Sequence, residues 1–427
     1  MREQTEPTAR NPLLIVGCGA AGLMAAGQAA LFGARVVVLE KMKRPARKLC
    51  ITGKGRCNLT NVAPLPEFLS HFGPSGSFLR QAFHRFFTPE LLEFFAERGL
   101  DVVTERGGRI FPASGKAPEV LAVFEAWLHQ LGVEITTGAP VDRLLIEAGV
   151  LTGVSCQGKN LACGGLILAT GGASYPATGS SGDGYRLAEQ AGHRLVPVRP
   201  ALVPLVTSGD CAGRMAGLQL RNAQVQLFIA NKKKAEAFGE LTFMEFGLSG
   251  PVILTLSGRV VDALRAGQEV ALVLDLKPAL DDKKLDARLL RDFEKRSAES
   301  LASVLRGLLP QEMVPVALEQ IALDGNRLAG TIRADERKRL RLWLKNFRFP
   351  VTGYRPLSEA IVTAGGVDTT EVNPRTMESR LVQGLYFAGE LLDLQADTGG
   401  YNLQAAFSTG WLAGRSAAAR IKDSLQA

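Results

Sequence analysis

The sequence predicts an α/β protein, a Rossmann-like dinucleotide-binding domain interrupted by an insert with a β-barrel-like part and a helical part. Three observations carry this expectation. Leu13 to Glu40 reads as strand, glycine turn, helix and strand, with Gly17-x-Gly19-x-x-Gly22 at the turn. Leu166 to Gly172 and Leu385 to Glu390 are apolar runs ending in glycine, as buried parallel strands do. Between them, from about residue 196 to 350, alternating segments give way to charged, helical ones.

In the first stretch each glycine has its own task. Gly17 permits a tight strand-to-helix turn, Gly19 lets the backbone approach a pyrophosphate, and Gly22 lets the helix lie close to the strand. Ala20 and Ala21 within the fingerprint are candidate cofactor contacts, and the Ala-rich segment straight after it reads as the helix. Its N-terminus offers N–H groups and a positive dipole end to phosphates. Glu40, ending the second strand, can accept hydrogen bonds from a ribose 2′-OH, which favours an unphosphorylated adenosine ribose, as in FAD or NAD. A membrane helix is the competing reading of so apolar a stretch. Its five glycines and Arg35 argue against that.

A length of 427 residues predicts two or three domains with ample core. Met1 to Asn11 is polar, has no apolar centre like that of a signal peptide, and reads as a frayed tail. No other segment reads as a bilayer span. Six cysteines in so long a chain form no disulfide framework, so a reducing cytoplasmic location is expected. A net charge of +8 is a mild bias toward anionic partners.

After Glu40 the chain is basic, with Lys41 and Lys48, and then glycine-rich. Gly53, Gly55 and Arg56 can wrap around a charged ligand, and Asn58, Thr60 and Asn61 add short polar donors. Phe72 to Gly108 reads as a helical excursion, with Thr88-Pro89-Glu90 as a helix start. A helix over 118–132, a strand over 133–136 and a small hairpin of Leu144 to Ile146 and Gly153 to Cys156 follow. Thr170, Gly171 and Gly172 end the next buried strand. The expected boundaries are 1–195 for the first segment of the dinucleotide domain, 196–280 for the barrel-like insert, 281–349 for the helical insert and 350–427 for the second segment. In that last segment Gly389-Glu390 ends a strand, and Asp397 to Gln404 opens a long helix at Gly399, Gly400, Tyr401, Asn402 and Leu403. A helix N-terminus here suits the pyrimidine end of a flavin, where negative charge appears on reduction.

The chain resembles the BaiN/RdsA/aminoacetone-oxidase-like family of NAD(P)/FAD-dependent oxidoreductases. The matching motifs are GCGAAG (17–22), GKGRCNLTN (53–61), RIFPASGKA (109–117), LATGG (168–172), GLSGP (247–251), VTAGGV (362–367), TMESRLVQGLYFAGE (376–390) and TGGYNLQAAFSTG (398–410). The resemblance implies an FAD-binding, glutathione-reductase-like fold with FAD as cofactor. It implies cofactor contacts from these motifs, including Gly365 and Gly366, and from Val141. Glu390 takes the place of an Asp that holds the ribityl chain. Two departures stand out. Met244-Glu245 replaces the usual Thr-His before GLSGP, and Cys50 replaces an aliphatic residue.

Reduction of a C=C bond needs a hydride and a proton donor. Cys57 is one candidate acid, its thiol flanked by Lys54 and Arg56, which would lower its pKa; a small residue packing the loop is the other reading. Tyr401 and Lys116 are further candidates. His84 and His193 read as surface or satisfied residues. No Cys/His spacing predicts a metal site. The leading expectation is an FAD-dependent oxidoreductase reducing an activated C=C bond of a small molecule, with NAD(P)H visiting transiently. The alternatives are a ribosomal-RNA dihydrouridine synthase, a small-molecule or amine oxidase, and a non-catalytic flavin-binding protein. The basic segment Arg333 to Lys345 and Lys232 to Lys234 would meet RNA in the first alternative and are solvated faces otherwise.

Overall fold

Leu13–Val16 is buried at all four positions because it is the central strand of a five-stranded parallel sheet. The sheet order is Leu385–Phe387, Gly165–Leu168, Leu13–Val16, Val36–Glu40 and Glu134–Thr137. Ile15 is in register with Ile167 on one side and Val38 on the other. The computed structural model describes residues 11–423; the polar tail expected over residues 1–11 lies almost wholly outside them. The fingerprint helix, Ala20–Leu31, packs on the C-terminal helix, Tyr401–Asp423, through small residues. A Cβ on Gly410 would sit 2.3 Å from the Ala21 carbonyl oxygen, and one on Gly414 the same distance from that of Ala25.

The chain divides into two compact units. One comprises the residues up to Pro200 and those from Ile361 on; the other is Ala201–Ala360. The second unit is a closed barrel of six strands, in the order Leu205–Thr207, Gly247–Ser249, Lys232–Met244, Gln219–Ile229, Val270–Asp275 and Phe347–Tyr354. The last strand comes after the helices Asp282–Lys295 to Ala334–Lys345, so the insert does not simply run strands first and helices second. Phe347, Phe349 and Val351 alternate with exposed Arg348, Pro350 and Thr352, and this period-two pattern closes the barrel against Val270–Asp275. The basic helix Ala334–Lys345 is laced by ion pairs. Arg337 meets Asp286 at 3.0 Å, Arg341 meets Asp282 at 3.3 Å and Lys345 meets Asp275 at 2.5 Å. On the hairpin, Lys233 meets Glu236 at 2.7 Å.

Among the described residues no helix is long and apolar enough to cross a membrane. The helix start near Thr88 differs from the sequence reading. Thr88 lies inside the helix Thr88–Ala96, its hydroxyl 2.9 Å from that of Thr60, and the Glu90 carboxylate accepts from the Phe87 N–H instead.

In the first unit His193 is buried and doubly held. Ser379 Oγ accepts from the N–H groups of Leu381 and Val382, which leaves its own proton for His193 Nε2 at 2.7 Å. His193 Nδ1 is then the donor to Glu371 Oε2 at 3.2 Å. Burial holds the imidazole below its ordinary value, with Glu371 opposing. The unfolded chain therefore binds this proton first. The associated stability is complete above about pH 6.5, the unperturbed value, and is lost as pH falls through the lowered one. Thermal denaturation between pH 7.5 and 5 should show a steeper acid loss in the native protein than in His193→Gln; equal slopes would remove His193 as the cause.

Candidate cofactor and active site

The site is built at the carboxyl ends of the parallel strands, where open α/β sheets bind ligands. Gly17 has φ +98°, and a Cβ there would lie 2.5 Å from the Ala169 carbonyl oxygen. A Cβ on Gly22 would lie 1.9 Å from the carbonyl oxygen of Gly17, whereas one on Gly19 meets nothing within 4 Å. Two glycines thus bring backbones together and the third leaves a cradle. Gly19 caps the helix with no side-chain hydrogen bond, and the first helical bond runs from Leu23 N–H to its carbonyl. The N–H groups of Ala20, Ala21 and Gly22 have no partner within the helix. An open cradle at an uncapped helix start fits a pyrophosphate.

The Glu40 carboxylate accepts from the N–H groups of Cys18 and Met42, both at 2.8 Å, and so ties the glycine turn to its own strand. Each oxygen keeps a further lone pair for a ribose hydroxyl. Lys41 is paired with Asp183 and Ser181. Val141 is buried at the start of the hairpin, its carbonyl 3.5 Å from Arg186 Nη2.

A polar hub joins four distant segments. Lys48 Nζ donates to Glu390 Oε2 at 2.6 Å and to Ser174 Oγ at 2.7 Å. Glu390 Oε1 accepts from Ser174 Oγ at 3.1 Å and from the Thr363 N–H at 2.8 Å. The Glu390 carboxylate is thus positioned by the protein itself, with Oε2 engaged by Lys48. Gly172 is where the hub closes, since a Cβ would sit 2.4 Å from Thr363 Oγ1. Thr170 packs against Gly184, and Gly171 has φ +74° beside Ser180.

The loop after Lys48 interrupts its helix at Thr52, Gly53 and Lys54, ahead of Gly55. Arg56 pairs with Glu105 at 2.5 Å and lies over the Phe111 ring. Cys57 corrects the sequence expectation. It is fully buried, and burial pushes its thiol up to about 12 in spite of a hydrogen bond from Thr52. Lys54 and Arg56 flank it in sequence without lowering it, so Cys57 packs the loop. Asn58, Thr60 and Asn61 turn inward too. With its amide oriented to suit its neighbours, Asn58 bonds Thr60, Ile110 and the Gly400 N–H. Thr60 bonds Thr88, and Asn61 donates to the carbonyls of Gly107 and Gly399 at 2.9 and 3.0 Å. These three side chains position the loop before the C-terminal helix.

At that helix start, Gly400 approaches the Thr60 carbonyl and Gly399 lies under the Tyr401 ring. Asn402 closes the loop through Ala396, accepting at 2.9 Å and donating at 3.0 Å, and Leu403 is half-buried. Gly389 donates to Thr409 Oγ1 at 3.0 Å and packs on Ala21. Tyr401 is the second correction. Its ring is buried, stacked on His71 at 3.9 Å and edge-on to Phe68, and burial raises its phenol, so it anchors the helix. Gly365 and Gly366 are buried strand residues; a Cβ on them would lie 2.5 and 2.6 Å from the Pro197 and Leu391 carbonyl oxygens. Lys116 is exposed at a helix start.

Sequence reasoning missed Ser174, Thr363 and His71. His71 Nδ1 lies 3.0 Å from Asp397, a residue 326 positions away, so no local pattern could pair them. Among the described residues no cluster of three or more His, Cys, Asp or Glu is placed to hold a metal ion.

The sheet order, the glycine cradle and the uncapped helix start define a Rossmann-type, dinucleotide-binding protein. The chain belongs to the HI0933-like family, whose Rossmann-domain model matches residues 11–416. It is 35% identical to the 3-dehydro-bile acid delta(4,6)-reductase of Clostridium scindens, over 96% of this chain and 100% of that protein. It is 29% identical to the ribosomal RNA dihydrouridine synthase of Escherichia coli, over 94% of this chain and 96% of that protein. Among solved structures, 3-ketosteroid delta1-dehydrogenase from Sterolibacterium denitrificans aligns with TM-score 0.51 at 14% identity, covering 96% of this chain and all of the other. Escherichia coli quinol fumarate reductase FrdA aligns with TM-score 0.51 at 18% identity, over 97% and 71% of the two chains. At these identities the structures speak for the fold alone.

The glycines separate binding from packing. Gly19→Val should cost the cofactor-free protein no more than about 1 kcal/mol, the loss of a good cap residue, yet abolish FAD binding. Gly22→Val should destabilise the cofactor-free fold by about 3 kcal/mol or more through overpacking. Urea denaturation and FAD titration check both; a Gly19→Val variant that binds FAD normally would refute the cradle.

Proposed function

We propose that this protein is an FAD-dependent oxidoreductase that reduces an activated C=C bond. The observation that carries the reading is the open cradle at Gly19, at the start of an uncapped helix. The N–H groups of Ala20, Ala21 and Gly22 would hold the pyrophosphate, and Glu40 the adenosine ribose. The N–H groups of Tyr401, Asn402 and Leu403 would face the pyrimidine end of the flavin. The hub of Lys48, Glu390, Ser174 and Thr363 would fix the wall between these two helix starts. When bound, FAD supplies the hydride for addition to a polarised C=C bond. NAD(P)H is the proposed electron donor, binding transiently.

The C=C specificity is supported by the likeness to the bile-acid reductase, which extends over almost the whole of both chains. RNA is the second substrate class, after the dihydrouridine synthase. The basic helix Ala334–Lys345 gives it little support, since Arg337, Arg341 and Lys345 are already paired with Asp286, Asp282 and Asp275. All six cysteines are free, which fits the proposed cytoplasmic location.

The test is an absorption spectrum of the purified protein, then anaerobic NADH or NADPH, then an enone or a uracil-containing ribosomal-RNA fragment. The expected result is a flavin band that bleaches with the nicotinamide and returns with the enone. Return with RNA alone would transfer the assignment to RNA. Absence of flavin after reconstitution with FAD, or a flavin that no donor bleaches, would overturn the reading.

A further inference from the structure

A histidine–carboxylate pair stands at the start of the C-terminal helix. His71 Nδ1 lies 3.0 Å from Asp397 Oδ2, and the His71 ring stacks on that of Tyr401 with centroids 3.9 Å apart. Asn402 donates to the Asp397 carbonyl at 3.3 Å, so the pair is tied to the segment that opens this helix. The first helical bond runs from the Gln404 N–H to the Gly400 carbonyl at 3.2 Å, which leaves the N–H groups of Tyr401, Asn402 and Leu403 without a partner in the helix. An ionised carboxylate only accepts, so His71 Nδ1 carries the hydrogen and Nε2 the lone pair. The two side chains are 25% and 39% exposed, partly desolvated yet open to protons from solvent. The other charged group here is Glu67, on the helix Leu65–Ser70 that His71 caps. Burial first, then Glu67 and Asp397, raise the Tyr401 phenol, so Tyr401 keeps its proton. Among the described residues neither Glu67 nor Asp397 forms an ion pair with Lys or Arg. Fastening the segment does not require an ionisable pair, because Asn58, Asn61 and Asn402 already do so with neutral amides.

We infer that His71 takes up a proton from solvent, at Nε2, when the cofactor at this helix start is reduced. This rests on the FAD reading above. The reductant, a nicotinamide or an electrode, delivers two electrons and one proton to the cofactor, which is left with a negative charge. The second proton goes to His71, which becomes positive and balances that charge. Reoxidation returns the same proton to solvent. Direct contact is not required. Unit charges several ångströms apart in a partly buried site change one another's proton affinity by roughly tenfold or more. Asp397 stays ionised and acts as a positioning residue, fixing the ring and its tautomer. The site therefore exchanges two electrons together with two protons, and its potential falls with rising pH about twice as steeply as that of a site exchanging one proton.

The experiment is a spectroelectrochemical titration of the FAD-loaded protein between about pH 7 and 8.5, where an unperturbed histidine is mostly neutral. The slope of midpoint potential against pH gives the protons bound per electron pair. The native protein should bind about two, and His71→Gln about one, the slope halving while flavin content stays native. Asp397→Asn keeps an oxygen for Nδ1–H and removes the charge, so its two-proton range should move to lower pH. His84→Gln, which removes an exposed histidine of the helix Gly76–Arg85, should match the native slope. A His71→Gln variant that still binds two protons, or an Asp397→Asn profile identical to the native one, overturns the inference while leaving the FAD reading intact. A native protein that holds no flavin after reconstitution overturns the FAD reading, and this inference with it.

Discussion

Gly22 lies so close to the carbonyl of Gly17 that no side chain fits between them, and the rest of the site depends on that approach. It fixes the helix Ala20–Leu31 against the end of its strand, with the first-turn N–H groups directed beyond the sheet. The same helix carries Ala21 and Ala25, whose carbonyls receive Gly410 and Gly414 of the C-terminal helix. Ala21 also limits the space around Gly389. A run of small residues therefore sets the spacing of two helices and a strand end at once. An added methyl group at any of these contacts has only backbone or a tightly packed Cβ to meet, and cores resist such insertion.

The second constraint is electrostatic. Lys48 and Glu390 are each about one-fifth exposed, and both have partners besides one another. Removing either would leave a partly desolvated charge, which costs more than the pair itself contributes. The value of the hub is geometric. It ties the loop after Glu40, the loop after Gly165–Leu168, the strand Val362–Val367 and the turn at Glu390 into one wall. The opposite helix start is held by Asn58, Asn61 and Asn402, neutral groups joined to backbone carbonyls and N–H groups.

What the sequence disclosed followed the range of the interactions. The glycine fingerprint and the buried strands were legible because their logic is contained in a few neighbouring residues. The helix start at Gly400 was legible for the same reason. The hub was not, because Lys48 and Glu390 are 342 positions apart and Lys48 and Ser174 are 126 apart. Cys57 misled because its sequence neighbours are cationic while its spatial neighbours are apolar; Arg56 turns to Glu105 and Phe111 instead. The strand Phe347–Tyr354 follows a long helical stretch, and only its pairing with Val270–Asp275 assigns it to the barrel.

A crystal structure of the protein grown with FAD tests the central claim most directly. The account predicts pyrophosphate density at Gly19, within hydrogen-bonding distance of the N–H groups of Ala20 to Gly22, and the pyrimidine ring at the helix start Gly400 to Leu403. A pyrophosphate bound away from Gly19, or a flavin ring at another place in the chain, would contradict it.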